Sequence, residues 1–516
     1  MQELEEETSA LRRELQVVIP PAPPHVQITR ISEPTESRSI DGIDLGPAII
    51  DHAFKLFFRD FHPLLPVLDP TVTPNVLYGK SPVLFWVVVS IGSRKHLVFP
   101  RLIDALSPRV SSLVLSSLSS RTNPLESIKA ILLLLEWPFP STSYRKDPSF
   151  VLSGALIHMA MQNGLHTPSI LCIEIQKLGA ESSFFDPSDI ERAKLWAYVV
   201  VLYQRTCTGG GHPALWSVDT YTEQDQFKRI LPQLPAELQL QLQLATIMSR
   251  AQRTFVQFGL PKLSSQQERT LDSVLQMVTT QLDTVESRAS SACRLEVAAM
   301  HFFKSSEALD VQACQFIFDT IVKVYEFIRD QEKAHKLSSF CPNSVISAVM
   351  MGQALMLRIH KGPMAAYVDQ ERGSALFHAI VSFIKAVALE HGDKPTKVVS
   401  FSEQMWGSSK AFKNADGSLD LALRVRNRLS ISLVHDAIIR WREEFLTPDR
   451  PVDLQQHTAS ILPANAAAHS DPIAPNIGQD DFAATLGTEA AMMPMNGLFG
   501  DFCFDLDDLW RTPDWQ

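Results

Sequence analysis

The chain has few of the residue clusters that usually carry chemistry. Its 516 residues include six cysteines, Cys172, Cys207, Cys293, Cys314, Cys341 and Cys503, and none forms a Cys-x-x-Cys pair. That spacing fits neither a zinc ribbon nor a disulfide framework and predicts scattered core thiols in a reducing compartment. The 15 histidines are dispersed and no His-Glu-x-x-His occurs, so no metal site is expected within the chain. A nucleophile elbow of the G-x-S-x-G type is missing too. The longest apolar runs, Val83 to Ile91 and Leu195 to Tyr203, fall short of the roughly 20 residues a membrane span needs. The charged opening MQELEEETSALRREL is no signal peptide. Together these features predict a soluble, intracellular chain with no membrane partner. Positive charge is also scarce. With 47 Lys and Arg against 57 Asp and Glu, the net charge is −10, which argues against the whole chain binding nucleic acid.

The negative charge is concentrated at one end. From Asp471 onward nine acids face one base, Arg511. Residues 447–480 are low in large apolar residues and read as a disordered linker. Residues 481–516 then mix acids with Phe499, Phe502, Phe504, Leu506, Leu509, Trp510 and Trp515. Such acidic–hydrophobic segments keep aromatic anchors solvated until a partner groove takes them, the pattern of a disordered activation segment. A terminal helix packed on the body is the plainer alternative. At the other end, residues 1–16 place Leu4, Leu11 and Leu15 at heptad spacing, a partial coiled-coil helix suited to homodimerisation. The pattern begins at the first residue, as if cut into, and a merely charged helix is the alternative. Residues 17–44, with Pro20, Pro21, Pro23 and Pro24, read as a linker.

Between these ends, residues 45–446 read as one large all-α bundle or array. Apolar residues recur every three or four positions, as in Phe54, Phe57, Phe58 and Phe61, before the stop at His62-Pro63. Ser81-Pro82 opens a helix that is apolar all round, including Trp86, and so is buried. Asn123-Pro124 with Glu126 resembles a capping box, as does Ser188 with Glu191. Asp147-Pro148 opens a helix closed by Gly164. Leu238 to Leu244, LQLQLQL, alternates like a strand, but Leu and Gln favour helix and turn signals are missing, so it reads as helix. Further helices are expected over 265–287, 293–333, 343–360, 370–391 and 419–446.

The central stretch, Glu191 to Trp216, combines a buried helix with a glycine-rich turn at Gly209, Gly210, Gly211 and Pro213. Cys207-Thr-Gly-Gly-Gly superficially suggests an anion loop, yet it lacks the Lys and the preceding strand of a phosphate-binding loop. Asp507-Asp508 pairs two carboxylates in the acidic tail, where no pocket would shift their pKa values. An enzyme is therefore not expected.

The words FHPLLPVLDP, SPVLFWVVVSIGSR, IKAILLLLEWPFP, DPSFVLSGALIHMAMQNGLH and ERAKLWAYVVVLYQRTCTGGGHP occur in that order. The series resembles the middle homology region of fungal binuclear zinc-cluster transcription factors, in a branch holding regulators of leucine biosynthesis. The residues that carry the likeness are Phe61, His62, Pro63, Pro66, Trp86, Gly154, Gly164, Leu165, His166, Arg192, Leu195, Trp196, Arg205, Gly211 and Pro213. The resemblance covers residues 45 to 450 and is strongest from 54 to 216. It implies a nuclear regulator of RNA polymerase II genes of metabolism, with an all-helical regulatory domain, a dimerising coiled coil, a coactivator-binding tail and possible control by a small metabolite. The six-cysteine DNA-binding cluster of the family is not found here. Zinc would enter only with such a cluster upstream, and DNA only through it or through a partner. Either the cluster is missing from the gene model, or the chain regulates without touching DNA. A metabolite-sensing helical domain and a helical scaffold without DNA contact are the other readings; a scaffold of repeats would show a fixed period, and none is evident.

Overall fold

The computed structural model describes residues 33–445, apart from 96–98, 121, 142–146, 168–186, 216–224, 261, 286–288, 306–310, 390–392, 415 and 421. The expected coiled coil (Leu4, Leu11, Leu15) and the acidic segment lie outside the described residues. Among the described residues the fold is all-α: sixteen α-helices and one two-stranded hairpin.

The hairpin, β1 (Arg38–Ile40) and β2 (Ile43–Leu45), is antiparallel and buries Ile40 and Leu45. All of it but Leu45 falls within the expected linker 17–44, so ordered structure begins before Leu45. Asn75 holds the preceding strand of chain, donating from Nδ2 to the Pro34 carbonyl at 3.0 Å and accepting from the Glu36 amide at 3.1 Å.

The first half then runs through α1 (Pro47–Leu56), α2 (Pro74–Lys80), α3 (Pro82–Gly92), α4 (Leu102–Ser117), α5 (Pro124–Glu136), α6 (Ser149–Gln162) and α7 (Pro187–Gly209). α1 passes into a π turn, Phe57–Phe61, before the break at His62-Pro63. Ser81 caps α3 by accepting from the Leu84 amide at 3.2 Å, and nine residues of α3 are buried, as its all-round apolarity predicts. Asn123 forms no capping box. It is left-handed (φ 51°), and its side chain donates instead to the Lys80 carbonyl at 2.6 Å while Glu126 pairs with Lys80. α7 starts at Pro187, one residue ahead of Ser188. Pro at a first helical position costs nothing there.

The second half comprises α8 (Asp225–Ile230), α9 (Ala236–Gln257), α10 (Ser265–Asp283), α11 (Ala289–Ala299), α12 (Val311–His335), α13 (Asn343–Lys361), α14 (Gln370–Val387), α15 (Lys394–Gly407) and α16 (Ser432–Phe445). α10 opens on a full capping box between Ser264 and Gln267. Several expected helices are shorter than their apolar spacing suggested. The helix expected over 293–333 breaks after a 3₁₀ turn at Met300–Phe303. There Lys304 bonds Asp272 at 2.7 Å and the Ser305 amide bonds Glu268 at 2.7 Å, which ties the chain to α10. The helix expected from 419 begins only at Ser432. The stretch before it lies across α16: the Arg424 amide donates to Asp436 at 2.8 Å, and Arg440 donates to the Ala422 carbonyl at 2.7 Å. The helix expected over 370–391 ends at Val387.

The interior divides into two apolar clusters, one built from residues 40–245 and the other from 244–441. α9 serves both. Leu238 and Leu242 lie in the first cluster, and Leu244 lies in the second with Leu240 packed against it. Residues four apart share a helix face, and residues two apart point in nearly opposite directions. The strand-like alternation of LQLQLQL therefore suits a helix clasped on two sides. The halves also meet through hydrogen bonds. Trp137 Nε1 donates to the Phe340 carbonyl at 3.0 Å, Lys95 Nζ to the Ser338 carbonyl at 2.9 Å, and Ser344 Oγ to Glu136 at 2.9 Å.

Candidate functional site

Most of the motif residues assemble into three packing corners, two of them at the ends of α7. At the first, Phe61 meets Trp137 edge-on with ring centroids 5.4 Å apart. His62 is buried, and its Nε2 donates to the Leu68 carbonyl at 2.8 Å, which closes the FHPLLPVLD turn. Burial lowers the His62 pKa, and the bond to Leu68 opposes this. Trp86 is buried in α3, Pro63 is exposed and Pro66 is half-buried.

The second corner brings two distant sequence words together. α6 ends in a Schellman turn: Gly164 is left-handed (φ 67°), its amide bonds the Met161 carbonyl at 2.9 Å, and the Leu165 amide bonds the Ala160 carbonyl at 3.0 Å. Leu165 is fully buried. Arg192, at the start of α7, donates to the Asn163 carbonyl at 2.8 Å, satisfying a helix-end acceptor with a cation. His166 lies with its ring 6.0 Å from that of Trp196, and Leu195 and Trp196 are buried. The Gly-Leu-His and Arg-x-x-Leu-Trp words thus form one joint. Gly154 belongs to no such joint, because a Cβ there would meet nothing within 4 Å.

The third corner ends α7. Gln204 Nε2 donates to Gln252 of α9 at 2.8 Å, and Gln252 donates to Thr208 at 2.8 Å, a closed polar knot inside the α7–α9 contact. Gly211 has φ 69°, and a Cβ on it would overlap the Arg428 carbonyl and lie 2.9 Å from the Arg428 Cβ. His212 bonds the Arg428 guanidinium and sits against Phe150, with ring centroids 4.9 Å apart. Pro213 follows half-buried. Arg205 is half-buried beside Cys293.

Burial pushes the thiol of Cys207 up to about 11 and that of Cys293 up to about 12, so neither is a thiolate near neutral pH. Among the described residues no His, Cys, Asp or Glu group could hold a metal ion, and no helix is long and apolar enough to cross a membrane.

The sequence reading missed a buried charge network in the second half. Asp436 is fully buried and accepts from Arg358, from Arg440 at 2.9 Å and from the Arg424 amide at 2.8 Å. Arg440 also reaches Asp420 at 3.0 Å. Burial lowers the Arg358 pKa to about 10, and the charge of Asp436 opposes the fall. The only sequence signal was charged residues inside an otherwise apolar helical pattern, which alone does not separate a buried network from a solvated face.

Similarity to known proteins points to the fungal transcription factors. The chain is 28% identical over 200 residues to the regulatory protein LEU3 of Saccharomyces cerevisiae, covering 35% of this chain and 21% of that protein. It is 28% identical over 139 residues to SEF1 of Kluyveromyces lactis, assigned as a transcription factor, covering 26% of this chain and 12% of that one. SEF1 of Eremothecium gossypii, assigned likewise, is 24% identical over 197 residues, or 37% of this chain and 18% of its own. These relatives support the placement in the fungal zinc-cluster transcription factor branch. The matches span about a fifth or less of the length of each relative. No family model matches the chain, and no solved structure matches it.

Proposed function

We propose that the protein is a nuclear transcription regulator of metabolic genes, in which the helical body is the control domain and residues 481–516 are the activating segment. The observation that carries this reading is the likeness to LEU3 and the SEF1 proteins, beside the resemblance of residues 45 to 450 to the middle homology region of fungal zinc-cluster factors. In this reading the chain acts by recruiting partners and not as an enzyme. The Leu4, Leu11 and Leu15 helix pairs two copies, DNA is reached through a zinc-cluster module or a DNA-binding partner, and a small metabolite sets the activity of the body.

The acids of residues 481–516 keep Phe499, Phe502, Phe504 and Trp510 soluble, and those aromatics anchor a coactivator groove. The experiment is a fusion of residues 470–516 to a foreign DNA-binding domain, read on a reporter gene. Strong activation that is lost when the four aromatics are changed to Ala is expected. A silent fusion, or activation that survives the changes, would overturn the assignment of the segment.

A further inference from the structure

One short turn closes the third corner. Residues 428–431 touch the end of α7, which belongs to the first core, and α11, which belongs to the second, and Ser432 starts α16 directly after them. The turn grips both sides. The Arg428 carbonyl rests on Gly211, where no Cβ fits, and the Arg428 guanidinium bonds His212. Ser430 is buried, and its hydroxyl donates to Glu296 of α11. Just upstream, Arg426 donates to the Leu260 carbonyl at 3.1 Å and to the Phe303 carbonyl.

Two features set this turn apart from the other joints. Leu429 has φ 44°, a left-handed conformation that L residues rarely adopt, so the closed turn is strained. Its side chain is buried, and contacts with the second core hold it there. The second feature is Glu296. Among the described residues the Ser430 hydroxyl is its one hydrogen-bond partner, and no cation pairs with it. The charged and titratable groups nearby are Cys293 and Arg294 on its own helix, Arg205 on α7, and Arg428, His212 and His435 about the turn. Arg294 pairs with Asp283 at 2.7 Å. Neither these groups nor any described charge on α9, α10, α12 or α13 offsets the loss of water at Glu296. Burial disfavours the ionised carboxyl, the Ser430 bond favours it, and burial prevails. Ionisation therefore weighs against the closed turn.

We propose that the turn at residues 428–431 is a proton-gated latch: a protonated Glu296 lets it clasp the end of α7 to α11, and loss of that proton lets it open. The latch belongs to the helical body and holds whether or not the chain regulates transcription. Opening returns Glu296 to water, where its pKa is ~4.3, from about 7 in the closed turn. The closed turn keeps its full advantage below ~4.3, loses tenfold of it per pH unit up to about 7, and loses no more above that. The histidines act at the acid end. Burial and Arg428 lower the pKa values of His212 and His435, so acid adds charge beside Arg428 and also loosens the turn.

The test is amide hydrogen exchange on the full chain, read by mass spectrometry for wild type and Glu296→Gln between pH 5 and pH 8. Protection factors are compared for residues 423–432 and for the buried helix α3 as a reference. Glutamine keeps the neutral shape of the protonated acid, and dividing wild type by the variant cancels the histidines that both proteins share. Residues 423–432 should be at least tenfold less protected than α3, which marks a local opening. The opening ratio of wild type to Glu296→Gln should rise tenfold or more from pH 5 to pH 8. Equal protection of the two segments, or a ratio that moves less than threefold, would overturn the latch.

Discussion

Asp436→Asn replaces the one carboxylate that faces both buried arginines with a neutral group of the same shape. Asp436 accepts from Arg358, Arg440 and the Arg424 amide. Arg358 is 2% exposed and lies 4.9 Å from the ring centre of Phe412. The substitution removes the negative charge and leaves two guanidiniums in an apolar setting, with only Asp420 nearby on Arg440. Breaking a buried pair from one side costs roughly 3–5 kcal/mol, because the partner charge stays desolvated. Arg358→Met is the informative contrast. It removes one cation, yet Asp436 keeps Arg440 and the Arg424 amide, and the methionine can occupy the space beside Phe302 and Phe412. Its cost should be less than half that of Asp436→Asn. Urea unfolding followed by tryptophan fluorescence is a suitable assay, since Trp441 is buried on the same helix and bonds Gln404 at 2.6 Å. With a urea slope of ~3 kcal/mol per M, Asp436→Asn should move the midpoint down by roughly 1–1.7 M. A shift below about 0.3 M, or an Arg358→Met variant weaker than Asp436→Asn, would refute the argument.

Gly211→Ala should destabilise by about 2 kcal/mol or more, because a left-handed non-glycine residue costs ~1–2 kcal/mol before the overlap with the Arg428 carbonyl is counted. Gly154→Ala, in the same unfolding assay, should instead be neutral or stabilising by up to ~1 kcal/mol, since it adds helix propensity into open space. His435 is held at about 4 by burial, aided by the nearby charges of Arg428 and His212. Its folded pKa lies below the unfolded ~6.5, so its contribution is complete above that value and is lost as pH falls toward 4, by up to about 3 kcal/mol. His435→Gln should flatten the loss of stability between pH 6.5 and 4. Glu296 runs the other way. Burial raises its pKa to about 7, against the hydrogen bond from Ser430. Its contribution is complete below the unfolded value of ~4.3 and is lost as pH rises through 7. Glu296→Gln should therefore gain more stability over wild type at pH 8 than at pH 5, measured as thermal midpoints.

Helix content, the buried character of α3 and α7, and the Gly164 and Gly211 turns were legible in the chain because each follows from local rules. Apolar spacing, a cap such as Ser81, and glycine at positive φ act over a few residues. The same rules misread Asn123, whose side chain is taken by the Lys80 carbonyl 43 residues away. They also ran the last helix back to 419, where the chain is instead held across α16 by Asp436 and Arg440. In both places a long-range hydrogen bond outweighed a local preference.

The sequence alone determined that the body is predominantly helical and that the acidic aromatic segment stands apart in composition. It also identified the Gly-Leu-His and Arg-x-x-Leu-Trp words, but not that Arg192 and Asn163 join them into one corner. Only the tertiary structure decided that two cores share α9 and that Asp436 binds two buried arginines. The reason is physical. Helix formation depends on neighbours within about one turn, whereas a shared core and a buried ion pair depend on which helices meet, and local spacing does not record that.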